Sequence, residues 1–110
     1  MKIKFIKLDV GGMHSEIVNF DKEVIIDESE VGFKIDDKEM EGGGDECCTF
    51  WMIREDSECY NMSGEEFVEK EMDCELRKKN GYSFELDRFG DEVNELSKKY
   101  FDYEVEWYRE

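Results

Sequence analysis

Between Cys47 and Ile53 the chain reads Cys-Cys-Thr-Phe-Trp-Met-Ile, apolar at nearly every position. So short a run without polar alternation predicts a strand covered on both faces, and therefore one central in a sheet. Other strands must pair with it, and other elements must cover it. A chain of 110 residues supports one such core, so residues 1–110 are expected to form a single globular domain. Aromatic residues make up 14% of the chain, enough to build that core despite 42% charged residues, and disorder is not expected.

The flanking segments supply candidate partners. Lys2 to Val10 alternates polar and apolar residues, but the apolar phase changes from Ile3 and Phe5 to Ile6, Leu8 and Val10, which fits a strand with a bulge. Gly11 and Gly12 then predict a hairpin turn. Ile17 to Phe20 and Glu23 to Ile26 are two short apolar runs separated by Asp21 and Lys22. Val31, Phe33 and Ile35 recur with the period of a strand, and Asp36 to Glu46 reads as a polar, glycine-containing loop.

Ser63 opens a helix, with Glu66 at capping-box spacing and Val68, Met72 and Leu76 as its apolar stripe; Asn80 and Gly81 end it. Its charges follow the helix dipole, acids first and Arg77, Lys78 and Lys79 in the last turn. Tyr82, Phe84 and Leu86 alternate as a strand. Asp91 opens a second helix carrying Val93, Leu96 and Tyr100, and Tyr103, Val105 and Trp107 form a final strand. The expected fold is α+β: a mainly antiparallel sheet of about five or six strands with two helices packed on it, in the order strands, helix, strand, helix, strand.

Thirty-one acidic and 15 basic side chains give a formal charge of −16. Phosphate backbones and anionic lipid surfaces are repelled by such a surface, which excludes direct nucleic-acid and membrane partners. No apolar run reaches membrane-spanning length, and lysines interrupt the first ten residues where a signal peptide needs a hydrophobic stretch, so the expected location is cytoplasmic. The charge is unevenly placed. Residues 1–20 carry +1, whereas residues 21–46 hold 11 acids against three lysines, and residues 47–110 carry −9 over a much longer stretch. No block of five or six like charges marks a tail, so the acids are expected on the folded surface.

Chemical motifs are weak. His14, the one histidine, lies beside Ser15, but no spacing places a base, nucleophile and orienting carboxylate together. Cys47, Cys48, Cys59 and Cys74 lack close metal-ligand pairs and are expected as reduced thiols buried as small hydrophobes. Asp37, Glu39 and Glu41 before Gly42 resemble the start of a calcium loop, yet Cys48 stands where the bidentate glutamate belongs. Gly42 to Gly44 lack the Lys and Ser/Thr of a phosphate loop. Neither enzymatic activity, a metal nor a cofactor is expected.

What remains is recognition. Dense carboxylates complement a basic cleft of the kind that toxins and nucleic-acid-processing enzymes possess, and opposite charge speeds encounter. The expected partner-binding residues are Asp36, Asp37, Glu39, Glu41, Asp45 and Glu46, with Glu55, Asp56 and Glu58 as a second cluster. Trp51 or Tyr60 could anchor the contact if exposed, although Trp51 fits the core better. The resulting expectation is a stoichiometric inhibitor, an immunity-type protein that neutralises a toxin or nuclease through its basic site. The alternatives are a phage-encoded anti-CRISPR or antirestriction protein acting as a nucleic-acid mimic, and a small metal-binding protein or enzyme using His14 and the cysteines. Solubility alone is the bland explanation of the same charge.

Overall fold

The strand that begins the chain, β1 (Lys2–Asp9), buries both of its faces. In a computed structural model that describes residues 1–9, 18–36, 38–44, 47–70 and 86–105, it pairs on one side with β2 (Asn19–Asp27) and on the other with a strand drawn from the apolar run. Taking the remaining strands in chain order, β3 is Glu39–Gly44 and β4 is Cys48–Arg54. The sheet order is β2-β1-β4-β3 with every pairing antiparallel, so β4 is central as its composition requires.

Strand alternation sorts the core into two layers. Ile3 and Phe5 of β1 share one face with Cys48, Phe50 and Met52 of β4, while Ile6 and Leu8 share the other with Trp51 and Ile53. The first face is covered by a helix, Leu86–Phe101, whose Val93, Leu96 and Phe101 pack on it together with Val105. Phe5, Phe50 and Phe101 stack there, with centroids 5.0–6.4 Å apart. The second face is covered by a 3-10 turn, Glu58–Asn61, and a short helix, α1 (Gly64–Phe67). Phe67 meets Trp51 edge-on at 5.6 Å, an arrangement favoured by ring quadrupoles. Ser57 and Ser63 cap these two elements by accepting from the Cys59 and Glu66 amides. The Leu86–Phe101 helix is α2.

The apolar phase change in β1 has a cause other than a bulge in that strand. β1 pairs with β4 without a slip from Ile3 to Asp9. Both faces are apolar, and each holds one lysine: Lys7 on the α2 face and Lys4 on the α1 face, both only 7% exposed. An ammonium in such a place costs several kcal/mol unless it is paired. Both partners come from β2. The Lys4 amine lies 3.3 Å from Glu23 and donates to the Met62 carbonyl at 2.9 Å, and the Lys7 amine donates to Asp21. Each also sits over an aromatic ring, Tyr60 for Lys4 and Tyr103 for Lys7.

The bulge belongs to β2. Lys7 pairs with Lys22 but Leu8 with Phe20, so Asp21 is an extra residue. It flips the alternation: Val24 and Ile26 pack on the α2 face, whereas Phe20, also even-numbered, packs on the α1 face. The two apolar runs on either side of Asp21 and Lys22 are thus one strand. Phe20 lies so close to Gly64 that a Cβ there would stand 1.9 Å from its ring, which is why α1 begins on glycine.

Four strands are present among the described residues, below the expected number, and all four precede both helices in the chain. Val31, Phe33 and Ile35 form no strand; Val31 and Ile35 are buried against the α2-face cluster from a segment of bends and irregular backbone. The expected loop at 36–46 contains β3 instead, because β4 needs a partner on its far side; the register slips between Glu41 and Gly43. Helix α2 starts at Leu86, ahead of Asp91. Tyr103 and Val105 pack their side chains on the sheet but form no strand, their backbone being tied to α2: Ser97 Oγ donates to the Tyr103 carbonyl and the Val105 amide donates to Asn94 Oδ1. Asp102 permits that return with a φ of 51°. The expectations placed on Val10, Gly11, Gly12, Ile17, Met72, Leu76, Arg77, Lys78, Lys79, Asn80, Gly81, Tyr82, Phe84 and Trp107 lie outside the described residues.

Two substitutions test this arrangement. Gly64→Ala should lower stability by about 1–3 kcal/mol in chemical denaturation, and Phe20→Ala in the same chain should cost less than it does alone. Asp21→Asn, which leaves the Lys7 ammonium without a carboxylate, should cost about 1–3 kcal/mol, the lower part of the range for broken buried pairs because Asp21 is itself one-third exposed.

Candidate functional site

Antiparallel register carries the start of the first acidic segment, Asp36 and Glu39, to the end of the sheet where the second lies, while the rest of β3 runs away toward Gly44 opposite Thr49. Arg54, the last residue of β4, donates its amide to the Lys38 carbonyl at 2.9 Å and its guanidinium to the Ile35 carbonyl at 3.5 Å and to Asp56 at 3.1 Å. The segment carrying Asp36 and Glu39 therefore runs beside the turn carrying Glu55, Asp56 and Glu58. Glu55 closes onto β1, its amide donating to the Lys2 carbonyl at 3.0 Å while its carboxylate accepts from the Lys2 amide at 2.9 Å. Buried Ser57 donates its hydroxyl to half-buried Glu39.

Asp36, Glu55, Asp56 and Glu58 are exposed. Glu41 has its backbone in β3 opposite Trp51; its side chain, and all of Asp37, Asp45 and Glu46, lie outside the described residues. Trp51 is wholly buried and anchors nothing at the surface, whereas Tyr60 is half-buried. His14 and Cys74 are outside the described residues. Cys48 and Cys59 are buried in opposite layers as expected, Cys47 is exposed instead because it precedes β4, none of the three is in a disulfide, and no metal-binding group of His, Cys, Asp and Glu occurs among the described residues.

Three acids at the same end escaped sequence reasoning. Lys2 pairs with Asp27, and a 3-10 turn follows at Glu28–Glu30, so Asp27, Glu28 and Glu30 join the rim from the β2 side. Their density was visible in the residue count, but their neighbours are fixed by the β1–β2 register, which the bulge at Asp21 makes unreadable from spacing.

Several of these carboxylates are held by the protein's own donors. Glu28 lies 3.2 Å from the Met1 ammonium. Glu30 accepts from the Tyr100 hydroxyl and from Lys99 at 2.9 Å, and these bonds hold its carboxyl below the usual range. Asp27 is likewise lowered by its bonds from Ser29. The same contacts raise Tyr100 and Lys99. Away from the rim, burial alone would lower the Lys7 ammonium, but its hydrogen bond to Asp21 and the neighbouring Cys48 more than offset this, and the net shift is upward.

No protein-family model matches the chain, and no match was found among curated proteins or solved structures. No helix among the described residues is long and apolar enough to cross a membrane.

A depressed folded-state pKa contributes stability above the ordinary carboxylate range that is lost as pH falls through the folded value. Acidification below about pH 4 should therefore release the Glu30 contacts. Tyr100→Phe should move the Glu30 titration, followed by carboxyl NMR, upward toward the ordinary glutamate value and flatten the stability loss over that window.

Proposed function

We propose that the protein is a stoichiometric inhibitor of immunity type, acting in the cytoplasm, whose acidic sheet end docks on the basic site of a toxin or nucleic-acid-processing enzyme. The observation that carries this reading is the convergence of Asp36 and Glu39 with Glu55, Asp56 and Glu58, distant in sequence, on one rim around Arg54. The lock of Glu39 to Ser57 and of Glu55 to the Lys2 amide limits the rotamer freedom that docking would otherwise remove. Asp36, Asp56 and Glu58 present exposed charge. The net charge of −16 adds long-range steering toward a cationic surface.

Affinity capture from native cytosol at low salt, read by mass spectrometry, should recover a partner with a basic active-site surface. Recovery of no such protein at any ionic strength would sink the proposal. With the partner in hand, replacing Asp36, Asp56 and Glu58 together by lysine should slow association about tenfold or more while leaving the unfolding transition in place. Unchanged association would remove the rim from the interface.

A further inference from the structure

Strand β2 ends the sheet on the side away from β3, and among the described residues its outer edge pairs with no strand. The hydrogen-bond phase of the β1–β2 ladder follows from the Glu28 amide, which donates to the Met1 carbonyl at 3.0 Å. Residues 22, 24 and 26 then bond toward β1, and Glu23, Ile25 and Asp27 turn their amides and carbonyls outward. One of these outward donors is already used: the Asp27 amide is capped by Glu30. At the other end the bulge at Asp21 breaks the ladder. The open stretch is thus short and centred on Ile25.

Ile25 is also one of the few large apolar side chains at the surface among the described residues, 46% exposed. It stands across from Lys4, whose ammonium is turned inward to Glu23 and the Met62 carbonyl. Along its own strand Ile25 is flanked two residues away on each side, on the same face, by Glu23 and Asp27. An aliphatic side chain between two carboxylates, with an outward-facing backbone donor and acceptor that no strand among the described residues pairs, offers what strand addition uses together with a defined side-chain pattern.

We infer that this edge takes an extended segment of a partner in which an apolar residue lies between two basic ones at alternate positions. The central residue packs on Ile25, the basic residues meet Glu23 and Asp27, and the main chain bonds the Ile25 amide and carbonyl. A second copy of this chain is disfavoured, because each copy carries −16 and would set carboxylates beside carboxylates. The inference rests on the reading of the partner as basic, and it adds where and in what conformation part of that partner is held.

The test uses the isotope-labelled full chain and the blocked peptide Lys-Thr-Leu-Thr-Lys at low ionic strength. Expected are amide shifts confined to residues 23–27 and slowed exchange of the Ile25 amide. Both should disappear when the peptide is N-methylated on the backbone, and binding should weaken severalfold in Ile25→Thr, which retains a β-branched residue. Equal binding by the N-methylated peptide, or by Ile25→Thr, overturns the inference. Shifts confined to Asp36 and Arg54–Glu58 overturn it while leaving the proposed function standing. No shift with any cationic peptide overturns it and counts against the basic-partner reading as well. Concentration-dependent shifts at 23–27 without peptide would show a second copy as the occupant and would overturn the basic segment.

Discussion

Two ammonium groups buried in the middle of the sheet depend on two carboxylates of the neighbouring strand. Lys4 and Lys7 point to opposite faces of β1, so β2 must deliver an acid to each face three residues or less apart. Regular alternation cannot place Glu23 and Asp21 on opposite faces, since both are odd-numbered. The bulge resolves this by turning Asp21 over Lys7, and the same displacement sends Phe20 under α1. One extra residue thereby fixes the ion pair on one face and the seat of a helix on the other.

Where composition speaks of burial, the sequence was readable. The run from Cys47 to Ile53 declared a central strand, and Ser57 aside, the Ser63 cap and the Val93 and Leu96 stripe were visible as local signals. What escaped was set by partners. Glu39–Gly44 has almost no strand propensity and becomes a strand because β4 offers unpaired backbone on that side. Val31 and Ile35 have a strand's period but bury themselves without a ladder. Tyr103 and Val105 look like a strand and are instead fastened to α2 by Ser97 and Asn94, polar residues whose role spacing does not reveal.

The acidic rim followed the same division. Its two sequence clusters were visible as carboxylate density, and the β3–β4 pairing that brings Asp36 and Glu39 beside Glu55, Asp56 and Glu58 was not, because β3 itself was hidden in a glycine-rich stretch. Asp27, Glu28 and Glu30 completed the rim through β1–β2 register alone. Much of this charge is engaged by nearby donors such as Ser57, Arg54, Lys99 and Tyr100. The rim is accordingly a shaped surface with fixed carboxylate orientations more than a diffuse cloud of charge.

The placement of Cys48 and Cys59 in opposite layers has an experimental use. Neither thiol is accessible in the closed molecule, one lying beneath α2 and the other on the α1 face, while Cys47 next door stands in solvent. Alkylation at exposed Cys47 sets a reference rate, so the delay at Cys48 clocks the opening of one layer and the delay at Cys59 clocks the other. The unmodified chain thus contains its own two-channel recorder of whether the helices leave the sheet together or in turn.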